Sequence, residues 1–155
     1  MMIKNNTLDK SFGPVGAIAG VTIFMAGLIL IYFSLSGLVF ILFGAFVGFT
    51  STSTLVDYDK KRFKYSNNLF GLIRTGRWIS IKPEMRIGIK PSRRAWRTYS
   101  KSNRTLDLVD KDFRLILYGE NNKQIMPIMK TNSLDSAKIE LESIAVQLGL
   151  NRVDN

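Results

Sequence analysis

The chain has 155 residues, a formal net charge of +10, and neither histidine nor cysteine. These two absences exclude Ser-His-Asp and Cys-His catalysis, thiolate redox sites and the zinc sites built from those ligands. Outside its most apolar part, about 100 residues remain, which suffices for one soluble domain with a single core.

The first predicted element is a membrane hairpin. Residues 11–56 carry no charge, and Ser34-Leu35-Ser36-Gly37 divides them into two apolar halves. Because about 20 helical residues cross a hydrocarbon core of ~30 Å, the pattern predicts a two-helix transmembrane hairpin over 13–56, with spans at about 13–33 and 37–56. A cleaved signal peptide is the alternative, but the first apolar run exceeds the roughly 7 to 15 residues of a signal h-region.

The flanks of the hairpin predict its orientation. Lys4 and Lys10 precede it, Lys60, Lys61 and Arg62 follow it, and the turn is uncharged. Basic residues mark the cytosolic side, so we expect an integral inner (plasma) membrane protein with both termini, including the tail 1–12, in the cytosol.

Residues 57–155 are predicted to form the soluble domain, because the apolar period changes there from helical to two. Met85, Ile87 and Ile89 alternate with polar residues, as in a half-buried strand. Turn signals, among them Asp110-Lys111-Asp112 and Pro91-Ser92, separate the strands. The predicted strands lie near 54–58, 61–69, 72–81, 84–90, 95–109, 113–118 and 124–129.

A C-terminal amphipathic helix is predicted over 133–148. Its apolar residues recur at spacings of three and four, Ser133 or Asn132 can cap its start, and Gly149 occupies the usual place of a C′ glycine. Its apolar stripe should cover one face of the antiparallel sheet.

About seven antiparallel strands capped by one C-terminal helix resemble the pleckstrin-homology-like (PH-like) fold. With the hairpin in front, the chain resembles small bacterial inner-membrane proteins that carry a PH-like domain on the cytosolic side. The likeness is carried by residues 55–62, 71–78 and the helix 133–148. It implies a membrane α-hairpin plus an all-β/α+β PH-like domain, in a family that is mostly non-enzymatic.

The charge of the soluble part is uneven. Residues 60–104 hold 14 basic residues against one acid, a net +13, whereas residues 105–155 carry a net −2. The most distinctive string surrounds an indole with arginines, as in an interfacial membrane contact. Its candidate residues for binding anionic lipid or a partner are Arg93, Arg94, Trp96, Arg97, Lys101 and Arg104. No nucleic-acid-binding motif accompanies them, so nucleic acid is not an expected partner.

Small residues within the hairpin predict close helix packing. Gly16-x-x-x-Gly20 and Gly44-x-x-x-Gly48 each place two glycines on one helix face, and Gly27 lies at the same depth as Gly44 when counted from the turn. The face with Gly16 and Gly20 could instead meet another subunit.

No cofactor or metal site is predicted. Asp107, Asp110 and Asp112 form the one acidic cluster, but no glutamate completes an EF-hand pattern. The leading hypothesis is therefore a non-catalytic membrane protein whose basic domain binds or scaffolds at the cytosolic membrane face. The alternatives are a small accessory subunit of a larger membrane complex, and a membrane-associated enzyme with a Ser-Lys or carboxylate site.

Overall fold

A computed structural model describes residues 2–99 and 105–153, with side chains described for 2–93 and 112–153. This part of the chain contains three helices and nine strands. In chain order they are β1 Ile3–Lys10, α1 Gly13–Leu30, α2 Gly37–Phe49, β2 Ser51–Asp57, β3 Arg62–Leu69, β4 Ile73–Thr75, β5 Trp78–Ser80, β6 Arg86–Tyr99, β7 Thr105–Tyr118, β8 Gln124–Thr131, α3 Leu134–Leu148 and β9 Asn151–Arg152.

The strands form two sheets that are mostly antiparallel. The first has the order β1-β2-β3-β4, with β5 also paired to β3, and the second has the order β8-β7-β6-β9. Strand β9 is parallel to β6. The coarse expectation of helices in front of a largely antiparallel β structure with a C-terminal helix is confirmed, with nine strands rather than about seven.

The chain divides into two compact units. The domain unit comprises Met1–Thr7, Thr54–Tyr65 and Arg77–Asn155, and the hairpin unit comprises Leu8–Ser53 and Ser66–Gly76. The domain unit is thus discontinuous in sequence, with N-terminal residues beside most of the stretch 57–155.

The core of the domain unit lies between its strands and α3. Ile87, Leu115 and Leu117 are fully buried, and the pairing of β6 with β7 places Ile87 opposite Leu117. Ile144 and Leu148 of α3 belong to the same cluster. Helix α3 begins where predicted, since Ser133 Oγ accepts a hydrogen bond from Ser136 N at 3.1 Å.

The hairpin unit joins α1 and α2 to the ends of two strands. Ser11 N donates to Thr50 O at 3.1 Å, and Thr52 Oγ1 donates to Asp9 O at 3.3 Å. Behind these strands, Asn68 Nδ2 donates to Ser53 Oγ at 3.0 Å, so this buried amide is satisfied.

The two helices are shorter than the predicted spans. Helix α1 has 18 residues with a mean hydropathy of 2.0, and by length and composition it could cross a membrane, a test that signal sequences also pass. Helix α2 has 13 residues and reaches about 20 Å. Residues 51–57 form β2 because the run Thr50-Ser51-Thr52-Ser53-Thr54 has low helix and high strand propensity. The structure thus provides one helix of spanning length rather than two.

Three other boundaries differ from expectation. The tail 1–12 contributes β1, and the expected strand 72–81 is divided into β4 and β5 by Gly76, whose φ is 128°. The expected turns at Pro91-Ser92 and Asp110-Lys111-Asp112 are wrong, because both segments lie inside the 14-residue ladder of β6 with β7. Asp112 is tolerated in a strand because its carboxylate pairs with Arg114.

Candidate functional site

A basic cavity of about 400 Å³ lies on the second sheet of the domain unit. Strand β6 contributes Lys90 and Arg93 to its wall, β7 contributes Arg114, and β8 contributes Gln124 and Pro127. Lys90 and Arg93 are exposed, whereas Arg114 is 6% exposed. The cavity therefore combines two accessible cations at its rim with a buried cation in its wall, a composition suited to an anionic group.

The buried cation is held in place by Asp112. Arg114 Nη2 and Nε donate to Asp112 Oδ2 at 2.8 and 3.0 Å, and Lys130 Nζ lies 3.5 Å from the same oxygen. Burial raises the pKa of Asp112, but the hydrogen bonds of Arg114 and Ser92 and the charges of Arg114 and Lys130 together lower it by more, so the pKa lies below its ordinary value. The carboxylate is ionised at neutral pH and offsets part of the local positive charge.

A second basic feature of the domain unit surrounds Trp78. The Arg62 guanidinium lies 4.2 Å from the centre of the indole, and Lys64 Nζ lies 6.0 Å from it. Arg62 Nε also donates to Asp57 Oδ2 at 2.9 Å. Trp78 is half-buried outside the core, while its neighbour Ile79 packs against the core, because successive side chains of β5 point to opposite faces.

Both carboxylate oxygens of Asp57 accept hydrogen bonds in this arrangement. Its side chain is fully buried, and Lys60 N donates to its Oδ1 at 3.0 Å. This backbone hydrogen bond, with the hydrogen bond and charge of Arg62, holds the pKa of Asp57 below its ordinary value despite burial. Asp57 thus closes the turn between β2 and β3 rather than offering a free carboxylate.

Of the candidate binding residues from the sequence, Arg93 lies at the rim of the cavity. Arg94, Trp96 and Arg97 lie on β6 at positions whose side chains are outside the described part, and Lys101 and Arg104 lie outside the described residues. The ladder places Arg94 opposite Asp110 and Arg97 opposite Asp107. Two of the candidate arginines therefore have an acidic residue at the position across the strand pair.

Sequence reasoning did not single out Lys90 and Arg114 as site residues. The alternation along β6 places Lys90 on the face opposite Ile89, so the sequence pattern could have identified Lys90 as a surface cation. Their proximity to Gln124 could not be predicted from the sequence, because it depends on the register between β6, β7 and β8.

The candidate packing glycines lie in the hairpin unit. A Cβ on Gly27 would lie 2.6 Å from Ile41 N, one on Gly44 would lie 2.7 Å from Phe24 Cα, and one on Gly20 would lie 2.7 Å from Gly48 Cα. A Cβ on Gly16 would meet Phe12 instead. Gly20, Gly27, Gly44 and Gly48 therefore lie between the two helices, and Gly16 lies beside the start of its own helix.

The hairpin has an inverted burial pattern. The buried residues of α1 are Gly13, Ala17, Gly20 and Gly27, and those of α2 are Gly37, Gly44 and Gly48. The large apolar side chains point outward: Ile18, Ile29, Val39 and Phe43, for example, are between 57% and 69% exposed. Core helices of soluble proteins bury their large residues, so the burial pattern of this pair is the reverse of theirs.

Among the described residues, no group of three His, Cys, Asp or Glu side chains could hold a metal ion. Comparisons of the chain with protein-family models, with curated proteins and with solved structures give no match.

Proposed function

We propose that this chain is a non-catalytic membrane protein, inserted by α1 and α2, whose domain unit binds anionic lipid at the cytosolic face. The observation that carries the proposal is the inverted burial pattern of the hairpin, with glycine inside and large apolar side chains outside. Lipid is the environment in which small residues make helix contacts and large ones remain exposed. Lys10 before α1 and Lys60 after β2 favour cytosolic termini.

The basic cavity supports anionic lipid as the ligand. Lys90 and Arg93 are free of acidic partners among the described ion pairs, and Arg114 extends the positive charge into the wall. A phosphate headgroup matches this charge, and each Lys or Arg near an anionic leaflet contributes about 1 kcal/mol. We further propose that the domain unit is PH-like, supported by its antiparallel strands and the covering helix α3.

The absence of a catalytic role is part of the proposal, and the state of the two buried carboxylates supports it. The two buried carboxylates of the described side chains, Asp57 and Asp112, are each paired with an arginine and have lowered pKa values. A general base or acid needs a pKa close to the working pH and access to substrate. Neither carboxylate meets these requirements.

The experiment uses the full chain extracted in mild detergent. The phospholipid retained by the purified protein is measured by mass spectrometry for the parent and for Lys90→Glu with Arg93→Glu. The matched control carries the same charge change at Lys82 and Lys138, which are exposed and do not line the cavity. We expect the cavity variant to lose anionic lipid, with an affinity at least about tenfold weaker, and the control to retain it. Equal losses, or a protein that remains in the soluble fraction, would contradict the proposal.

A protein partner is the second candidate, as in an accessory subunit of a membrane complex. Ile139 and Val146 lie seven residues apart on one face of α3 and are 70% and 72% exposed. Two large aliphatic side chains on a helix of the domain unit favour a protein contact. A native mass far above 17.5 kDa that drops when both residues are changed to serine would support this candidate.

A further inference from the structure

The turn between β3 and β4 has an unusual residue at its tip. Leu72 N donates to Leu69 O at 3.1 Å, and the two central residues, Phe70 and Gly71, have φ values of 55° and 71°. Two positive φ values are the pattern of a type I′ hairpin turn, which normally has asparagine or aspartate before the glycine. Here a large aromatic residue adopts a left-handed conformation that only glycine adopts without strain.

Contacts within the hairpin unit hold this aromatic residue. The ring of Phe70 lies 5.5 Å from that of Phe46 in α2, and Phe70 N donates to Thr50 Oγ1 at 3.3 Å. A Cβ on Gly71 would lie 3.6 Å from Phe49, so the backbone of the turn is in contact range of the last turn of α2. The β3–β4 turn thus lies against the end of α2 at which the apolar helix gives way to β2.

The other residues of the turn are apolar and uncovered. Leu72 is 84% exposed and Ile73 is 57% exposed, and no charged residue occurs between Tyr65 and Ile73. One exposed arginine, Arg74, follows directly. A turn in water gains nothing from two exposed aliphatic side chains at its tip, whereas a lipid interface accommodates both the apolar tip and the cation after it.

We infer that the β3–β4 turn inserts into the interfacial zone of the bilayer beside α2. Leu72 and Ile73 contact acyl chains, and Arg74 meets headgroup phosphates. The inference rests on the proposed membrane insertion of the hairpin and extends it: the turn packs against Phe46, three residues after the exposed Phe43 of α2. The hairpin unit then has two membrane contacts, a deep one through the helices and a shallow one through the turn.

The test uses the absence of cysteine from the chain. Single cysteines at Leu72, at Val39 in α2 and at Ile139 in α3 are labelled with an environment-sensitive fluorophore, and the full chain is reconstituted into vesicles that contain anionic lipid. All three parent side chains are more than 60% exposed, so the substitutions leave the packing intact. Quenching is compared for a nitroxide-labelled lipid and for aqueous iodide.

We expect the Val39 and Leu72 labels to be quenched by the lipid nitroxide, with Leu72 quenched best by a nitroxide near the headgroup. The Ile139 label should be quenched by iodide. A Leu72 label that follows Ile139 while Val39 stays lipid-quenched would overturn the inference and leave the proposed function intact. A Leu72 label protected from both quenchers would indicate a protein contact and would also overturn it. If Val39 itself is quenched by iodide, membrane insertion and the inference fail together.

Discussion

Gly44 offers the sharpest test of how α1 and α2 are held together. A Cβ at this position would lie 2.7 Å from Phe24 Cα and 2.8 Å from Gly20 O. The first distance is about 1 Å short of the optimal carbon–carbon separation of roughly 3.5 to 4.0 Å. Both neighbouring atoms are backbone atoms, so the helices must separate before any side chain fits. Gly44→Leu should therefore cost about 3 kcal/mol in overpacking, against about 1 kcal/mol gained in helix propensity.

The expected net loss is thus about 2 kcal/mol of hairpin stability. Spin labels on cysteines introduced at Met25 and Leu42, which are 54% and 56% exposed on α1 and α2, report the separation of the helices. Gly44→Leu should increase the mean distance by about 1 to 3 Å and reduce resistance to unfolding by a denaturing detergent. Ala19→Leu, which enlarges an exposed position of α1, is the matched control and should change neither. If Gly44→Leu has the parent's distance and stability, the glycine contacts do not set the helix packing.

Three further predictions concern the domain unit. Leu117→Ala should destabilise it by about 2 to 5 kcal/mol in denaturant titrations, because the side chain is fully buried. The control Ile125→Ala, at a position 38% exposed, should cost less than about 1 kcal/mol. Gly149→Val should lose more stability against thermal unfolding than Gly149→Asn, because the φ of 71° is strained for a β-branched residue. Nothing lies within 4 Å of the added Cβ, so a clash does not contribute, and equal losses of stability would contradict this reason. Asp57 and Asp112 have pKa values lowered from 3.8, so the unfolded chain binds more protons in acid. Their stabilisation is complete only well above pH 3.8 and should be lost as the pH falls through the folded pKa values. Asp112→Asn should be less stable at neutral pH but less sensitive to acid.

Local signals predicted the elements whose causes are local. Helix α3 begins at Leu134 after the Ser133 cap and ends before Gly149, as the residue types indicated. The connection between α1 and α2, residues 31–36, contains Ser34, Leu35 and Ser36 of the predicted turn. These features depend on a few neighbouring residues, so one sequence suffices to find them.

Features that depend on distant partners were missed. Nothing near Ile3 indicates that residues 3–10 form a strand, because that strand exists only through its pairing with β2. Asp112 was assigned to a turn because Asp is rare in strands. Its ion pairs with Arg114 and Lys130 make it acceptable inside β7. The residues next to Arg93 in the sequence were enough to make it a candidate. The cavity could not be predicted, because it also needs Arg114 and Gln124 from other strands.

The pairing of β1 with β2 has a consequence for biogenesis. The two strands are separated by 40 residues that contain both helices, so β1 leaves the ribosome well before its partner exists. Until β1 pairs with β2, the edge of β2 that β1 later covers has unpaired backbone groups open to aggregation. A chain that stalled before this pairing would expose that edge to the proteases and chaperones that recognise unpaired strands.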